Sequence, residues 1–491
     1  MKIRSGIIVI LALILAVSGA GAYDILSGLV VNYTDFSYVN SIAVGYDYVY
    51  FGTTGGIIRY HIGDERWIDP MSGIDNFPVS NIKEIRVSRD DNLIWVRTES
   101  GLYEYVDTFE RWFPIDQFPD EAVNGSHRAP DFDYIPPAGY NYFNDGALVD
   151  LNNRKYPLTD VLDDGWNNLW IGTWGLGALR ADVSARRMEI IAFGLVQEDV
   201  STIYRDGDRL WFGGKDYGYY RSGLTVFDWR ANEFEYIIDG SPMFLRPENI
   251  NAIDGNREYI FVGTDDGLMV IDRDEMKVTD HLYIGEGLPG NRVRSLLAFG
   301  DTLAIGSEFG LALIDFNTDS TETTKVLKTL LEPLSILSLA RYEDDLWIGS
   351  EKGAYRFNLA TGKIGRLNIP EITTYGEVRD IELGTGEIWL ATEDNLVAID
   401  LETAAVSSFP SVNSYGGVRA VAVSDTLAAA ATRDGLLLFY NGRRAGKELF
   451  TTNDGLLSNQ INDLVFDGEY IWIGSDRGLS RFWYRSPALF H

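Results

Sequence analysis

A short phrase recurs along the chain and restricts what it can fold into. An aromatic or Leu residue is followed by an apolar residue, Gly, and Thr or Ser. A polar turn, a second Gly and an apolar run come next. The phrase reads Tyr50-Phe51-Gly52-Thr53, Trp170-Ile171-Gly172-Thr173, Phe261-Val262-Gly263-Thr264, Trp347-Ile348-Gly349-Ser350 and Trp472-Ile473-Gly474-Ser475. Weaker copies stand at Trp95-Val96-Arg97-Thr98, Trp211-Phe212-Gly213-Gly214, Ala304-Ile305-Gly306-Ser307, Trp389-Leu390-Ala391-Thr392 and Ala429-Ala430-Ala431-Thr432. The third residues fall at 52, 97, 172, 213, 263, 306, 349, 391, 431 and 474, and from 263 onward they are 40 to 43 residues apart. That period suits a four-stranded propeller blade.

Each copy parses into four strands. The first opens on two apolar residues three apart, as in Val293-Arg294-Ser295-Leu296 or Ile461-Asn462-Asp463-Leu464. The aromatic–Gly strand is second, and the Gly closing the next turn sits where a hairpin needs positive φ. In one copy Asn395 holds that place, which suggests the left-handed conformation that Asn also tolerates. A blade is covered by its neighbours on both faces, so Trp95, Trp170, Trp211, Trp347, Trp389 and Trp472 are expected in the core.

The last copy stops after its third strand, near Phe482, and the segment Gly28 to Tyr33 lacks a blade of its own. This predicts an all-β chain: a β-propeller of about ten four-stranded blades in one ring, closed by the N-terminal strand. Two smaller propellers are the alternative. The expected organisation is a signal peptide over 1–22, the closing outer strand in 23–36, the propeller over 37–485 and a tail at 486–491. An inserted segment at about 119–155 fills the long gap between 97 and 172.

Composition narrows the function. The absence of cysteine excludes disulfide frameworks, thiolate metal sites and Cys nucleophiles. A net charge of -30 argues against nucleic acid as a partner. Met1-Lys2-Ile3-Arg4, the apolar run Gly6 to Val17 and Ala20-Gly21-Ala22 form an export signal. The mature chain is therefore expected to be periplasmic or secreted, with no membrane span after cleavage.

Asp454-Gly455-Leu456-Leu457-Ser458-Asn459-Gln460-Ile461, Gly287-Leu288-Pro289-Gly290-Asn291-Arg292-Val293 and Trp472-Ile473-Gly474-Ser475-Asp476-Arg477-Gly478-Leu479 resemble the two-component-regulator propeller repeat. That repeat belongs to bacterial extracytoplasmic ligand-sensing domains. The resemblance covers most of the chain. It implies a sensor-like propeller and is specific for fold rather than for ligand. The kinase and membrane helix that often follow such propellers are not read here. Similar propellers occur in secretion accessory proteins and in streptogramin-type lyases.

Two candidate sites follow. The insert and the enlarged hairpins of the next two repeats carry Tyr140, Tyr142, Phe143, Trp174, Tyr217, Tyr219, Tyr220 and Arg221. On one face these would form an aromatic surface for a glycan, a peptide or an envelope protein. The competing reading is that the insert caps the ring and packs its own aromatics. The second site is a set of inner-strand cations, Lys83, Arg294, Arg379 and Arg419, at equivalent repeat positions. They would ring the channel as an anion site, unless the neighbouring acids Glu84, Asp160, Asp380 and Asp463 neutralise them.

Catalytic patterns are weak. The four histidines, His61, His127, His281 and His491, have no ligand spacing, and no Gly-x-Ser-x-Gly elbow occurs. His127 in the insert is the one donor a lyase reading would use. No cofactor is expected. Ca²⁺ is the secondary expectation, through turn acids such as Asp163-Asp164, without a spaced calcium loop. The reading is an exported, non-enzymatic, ligand- or partner-binding propeller. A propeller lyase or glycan-active enzyme and an envelope or secretion scaffold are the alternatives.

Overall fold

The computed structural model describes residues 29–490 apart from 72–80, 89–92, 107–110, 121, 123–125, 128–133, 216, 218–222, 239–248, 317–324, 370–375 and 441–446. The signal peptide expected at 1–22 lies outside the described residues. The described chain is all-β. It holds ten blade-like antiparallel sheets, nine of four strands and one of five, and a separate three-stranded sheet. Blades 1 to 10 begin with the inner strands Val39–Val44, Glu84–Val87, Leu158–Asp163, Thr202–Asp206, Ile250–Gly255, Val293–Phe299, Ile336–Tyr342, Val378–Leu383, Val418–Val423 and Ile461–Asp467. The aromatic–Gly phrase is the second strand of each blade. Blade 10 takes its outer strand from the N-terminal side: Val30–Tyr33 pairs with Gly478–Trp483, Val30 opposite Phe482 and Tyr33 opposite Leu479.

The blades do not follow one another in a single ring of ten. The inner strands of blades 4 to 10 neighbour each other in turn, and blade 10 lies beside blade 4. Blades 3, 1 and 2 form a separate arc with blade 1 in the middle. The conserved geometry of blade contact shows the order. In the seven blades whose second strand carries the Gly, it faces the first apolar residue of the neighbouring blade, where a side chain would collide with it. A Cβ on Gly474 of blade 10 would stand 2.8 Å from Val200 of blade 4. A Cβ on Gly172 of blade 3 would stand 2.6 Å from Val39 of blade 1. A sequential ring of ten would require the opposite pairings.

The arc ends where its chemistry forbids a further blade. At blade 2 the Gly position is Arg97, which is exposed. Its guanidinium pairs with Glu84 at 3.0 Å and lies 5.0 Å from the Phe118 ring. A charged fork on that face leaves no seat for another backbone. At blade 3 the inner edge is occupied by Ser126–His127, which pairs with Leu162 and Asp163 as a fifth strand. The insert builds the three-stranded sheet Tyr140–Tyr142, Leu148–Asp150 and Lys155–Tyr156. Its Leu148 and Tyr156 join Tyr134 in a buried cluster with Leu169, Ile171 and Leu179 of blade 3. The insert therefore packs its own aromatics against the arc.

Core clusters fill the gaps between successive blades. Trp211 packs with Ile250 and Val262 of the following blade, Trp347 with Ile381, and Trp389 with Val421. The largest cluster joins arc to ring, combining Val39, Phe51 and Trp67 of blade 1, Trp170 of blade 3, Phe212 and Phe227 of blade 4, and Trp472 of blade 10. Tyr33 is at its centre, with ring centroids 4.9 Å from Phe227 and 6.3 Å from Trp472. Its hydroxyl donates to Asp69 at 2.8 Å, and Asp69 also receives Arg481 of blade 10 at 2.5 Å.

The turn chemistry is mostly as the pattern implies. Gly478 closes its hairpin at φ 138°, and a side chain there would strike the Tyr33 carbonyl. Asn395 differs, since it is not among the positive-φ residues. It is buried, its amide donates to Ser408 Oγ at 2.9 Å, and its carbonyl accepts the Phe409 N–H at 3.2 Å. Side-chain hydrogen bonding, not left-handed backbone, selects Asn at this turn.

Two tryptophans test this packing. Trp472 is fully buried, whereas Trp166 at the tip of a turn is 86 % exposed. Trp472→Ala should cost about 3–5 kcal/mol of unfolding free energy. Trp166→Ala should stay within about 0.5 kcal/mol of the native value. Urea unfolding followed by far-ultraviolet circular dichroism measures both, and equal losses would contradict the arrangement.

Candidate functional site

The inner strand of a propeller blade has one edge without a strand partner, so its N–H groups need other acceptors. Acids serve this purpose. Asp463 accepts the Ile203 N–H of blade 4 at 2.7 Å and the Leu464 N–H at 2.8 Å. Asp380 does the same for Val421 and Ile381 at 2.8 and 2.9 Å. In the arc, Asp160 receives Ile42 of blade 1 at 2.8 Å. These acids therefore bond to backbone. Glu84 acts as a counterion, to Arg86 and Arg97.

One residue earlier, the same strands point across the mouth toward the next blade. Asn40, Asn251 and Asn462 donate to the carbonyls of Ile82, Val293 and Val200 at 2.9, 3.1 and 3.1 Å. In blades 6, 8 and 9 this register holds Arg294, Arg379 and Arg419, with Leu337 in blade 7. Lys83 has the equivalent register but belongs to the arc, where it pairs with Glu99 at 3.1 Å. It is thus not part of the ring's channel.

A cavity of about 380 Å³ opens at this mouth, lined by Lys215, Asn249, Asn251, Asp265, Arg292, Arg294, Leu337, Glu377 and Arg379. Arg292 pairs with Asp265 at 3.0 Å, and Asp265 also accepts Asn249 at 2.6 Å and Asn251 at 3.0 Å. Arg379 lies 3.4 Å from both Glu377 and Glu393. Arg294 Nε is buried with no hydrogen-bond partner among the described residues. Arg419, beside the cavity, donates to Asn462 at 3.2 Å. Its pKa is pulled below the usual guanidinium value by burial first, and then by the charges of Arg433 and Arg379. Like charges are therefore crowded at this mouth.

Sequence reasoning missed Lys215, Arg292, Asn249, Leu337 and Glu377. A signal existed for Lys215. Two residues after the Gly position, blades 5 to 8 and 10 carry Asp265, Glu308, Glu351, Glu393 and Asp476, whereas blades 4 and 9 carry Lys215 and Arg433.

The aromatic candidates meet separate partners. Tyr140 stands edge-on to Tyr156 at 6.0 Å, and the Tyr142 hydroxyl lies 3.5 Å from Met188 Sδ. Phe143 is exposed, with the Lys155 ammonium 4.6 Å from its ring centroid. Trp174 packs edge-on against Tyr38 at 5.1 Å. The Tyr217 hydroxyl is 3.4 Å from Asp199. Tyr219, Tyr220 and Arg221 lie outside the described residues. Of the histidines, His61 is beside Asp64, and His281 stacks on Tyr283. Asp164 folds its own turn, accepting the N–H groups of Trp166, Asn167 and Asn168 and the Trp170 indole.

No family model matches the chain, and no curated protein matches it in sequence. Solved structures do. The extracellular domain of a putative hybrid two component system from B. thetaiotaomicron is 15% identical with a TM-score of 0.50, over 92% of this chain and 71% of that one. PorZ, an essential bacterial surface component of the type-IX secretion system of Porphyromonas gingivalis, is 14% identical with a TM-score of 0.50, over 91% and 74%. These likenesses define a propeller-type all-β fold, shared with extracellular and surface domains. Among the described residues, no helix is long and apolar enough to cross a membrane.

Below the mouth, four carboxyl groups are raised by burial. Asp254 and Asp380 are pushed up to about 6, and Asp463 to about 7 with Asp380 adding to it. Glu382 reaches about 8, by burial and then by the charges of Asp380 and Asp463. In the unfolded chain such groups titrate near ~4. The native state thus binds more protons between about pH 4 and 8, and stability falls as pH rises through that window. Glu382→Gln should leave stability nearly unchanged at pH 4 and raise it progressively toward pH 8.5. Melting curves across that range check this, and a pH-independent difference would refute it.

Proposed function

We propose that this chain is an exported, non-enzymatic propeller that binds a small anionic ligand at the mouth of its seven-bladed ring. The observation that carries the reading is the cavity, where Arg294 and Arg379 replace the asparagines that elsewhere tie blade to blade. A register that is structural in three blades gives up its interblade bond for positive charge. Such local departures from a repeat rule concentrate at functional sites. The cavity is within the size range of small-molecule sites, and its wall is polar except for Leu337. Export is supported by the N-terminal signal pattern and by the extracellular and surface settings of the similar folds. Periplasmic or secreted placement follows from the same pattern.

A thermal-shift screen of acidic metabolites and oligosaccharides tests the proposal. Compounds that stabilise the native protein should fail to stabilise Leu337→Trp, whose indole would fill the cavity. Tyr217→Ala and Trp174→Ala should leave their effect unchanged. Mass spectrometry should find the compounds chemically intact after incubation. Stabilisation that survives Leu337→Trp and is lost in the aromatic variants would move the site to the aromatic surface. Turnover of a stabilising compound would overturn the non-enzymatic reading.

A further inference from the structure

We infer that the ligand of this cavity is an extended dianion, with two acidic groups separated by a polar spacer. This rests on the reading that the cavity binds a ligand, and charge accounting within its wall carries it. Four cations and two carboxylates line the space. Arg292 is committed to Asp265, and Arg379 is shared between Glu377 and Glu393. Lys215 and Arg294 remain, with no ion pair between either and an acid among the described residues. Two cations are therefore left without a paired acid among the described residues around one space, in a chain whose net charge is -30.

Their places in the fold set them apart. Lys215 comes from the second turn of blade 4, and Arg294 from the inner strand of blade 6. All of blade 5 lies between them, presenting Asn249 and Asn251. A compact anion such as sulfate would meet one cation and leave the other unpaired. Two acidic groups at the ends of a hydrogen-bonding chain satisfy both cations. The Asn251 amide protons are spent on Asp265 and the Val293 carbonyl, so its side-chain oxygen is the group left to accept from the spacer. Arg294 adds a directional requirement, because a guanidinium binds a planar carboxylate through two parallel N–H donors. The rim acids Glu377 and Asp265 would repel surplus negative charge, which limits the ligand to two acidic groups.

The test uses the full mature protein and calorimetric titration with succinate, glutarate and adipate, with the monoamide of each, and with inorganic sulfate. At least one dicarboxylate should bind about tenfold or more tightly than its monoamide and than sulfate. Arg294→Gln and Lys215→Gln should each erase the gap between diacid and monoamide. Arg294→Lys, which keeps the charge, should retain part of it and shows that loss in the Gln variant is not misfolding. Diacids that bind no more tightly than their monoamides, or that do not bind at all, would overturn the inference, as would sulfate binding as tightly as the diacids. Leu337→Trp separates the two levels. Screened compounds that it blocks, without a charge preference among the diacids, leave the cavity as the site and remove the dianion. Compounds that it does not block remove the cavity itself.

Discussion

A four-stranded sheet with two apolar faces must be covered twice, and this requirement organises the whole molecule. Blades 4 to 10 meet it by closing on themselves. Gly474 admits Val200, and the core between blades 10 and 4 is then built like any other. Three further blades cannot close a ring of their own, since covering each by the next would demand an interblade angle far from that of the seven. The arc instead ends in charge on one side and in an inserted sheet on the other. Val30–Tyr33 belongs to both parts. It completes blade 10 by strand pairing, and Tyr33 carries the contact onward to Asp69 of the arc. Hydrophobic burial supplies the driving force, and the polar knot of Tyr33, Asp69 and Arg481 gives it a direction.

The repeat phrase made the blades legible, because each of its residues answers a local need. Trp fills the wedge, Gly clears a neighbour's side chain, and the turn Gly takes positive φ. Neighbour identity is a different kind of information. Gly474 would look the same whether Val39 or Val200 faced it, since both are valines at the same repeat position, the first apolar residue of their blade. Succession in space follows succession in sequence from blade 1 to 2 and from blade 4 onward, and fails from blade 2 to 3 and from blade 3 to 4. The departures that mattered were visible as irregularities. Arg97 stands where Gly is needed, and the longest gap between copies follows it at once. Asn395 misled for a related reason: the same residue type serves two physical ends, and only its buried partners Ser408 and Phe409 separate them.

The candidate site was legible in part on the same logic. Arg294, Arg379 and Arg419 shared a register, and a shared register in a propeller means a shared height. Lys83 shared the register without the ring. Lys215, Arg292 and Glu377 come from turns and strand approaches, where the repeat imposes no identity, so pattern alone could not gather them. The acids also looked like counterions in sequence. Their carboxylates are drawn away by a stronger demand, the unpaired N–H groups of the inner edges.

This division of labour leaves positive charge at the mouth of a ring in a strongly acidic chain. Asp380, spent on backbone N–H groups, is unavailable to neutralise Arg379 one residue away, and burial holds Asp380 and Asp463 toward the protonated form. The guanidinium groups at the mouth are then compensated only by the few acids of the rim, Glu377, Glu393 and Asp265. The local field at the mouth is thus set by which acids the inner strands have consumed, and not by the net charge of the chain.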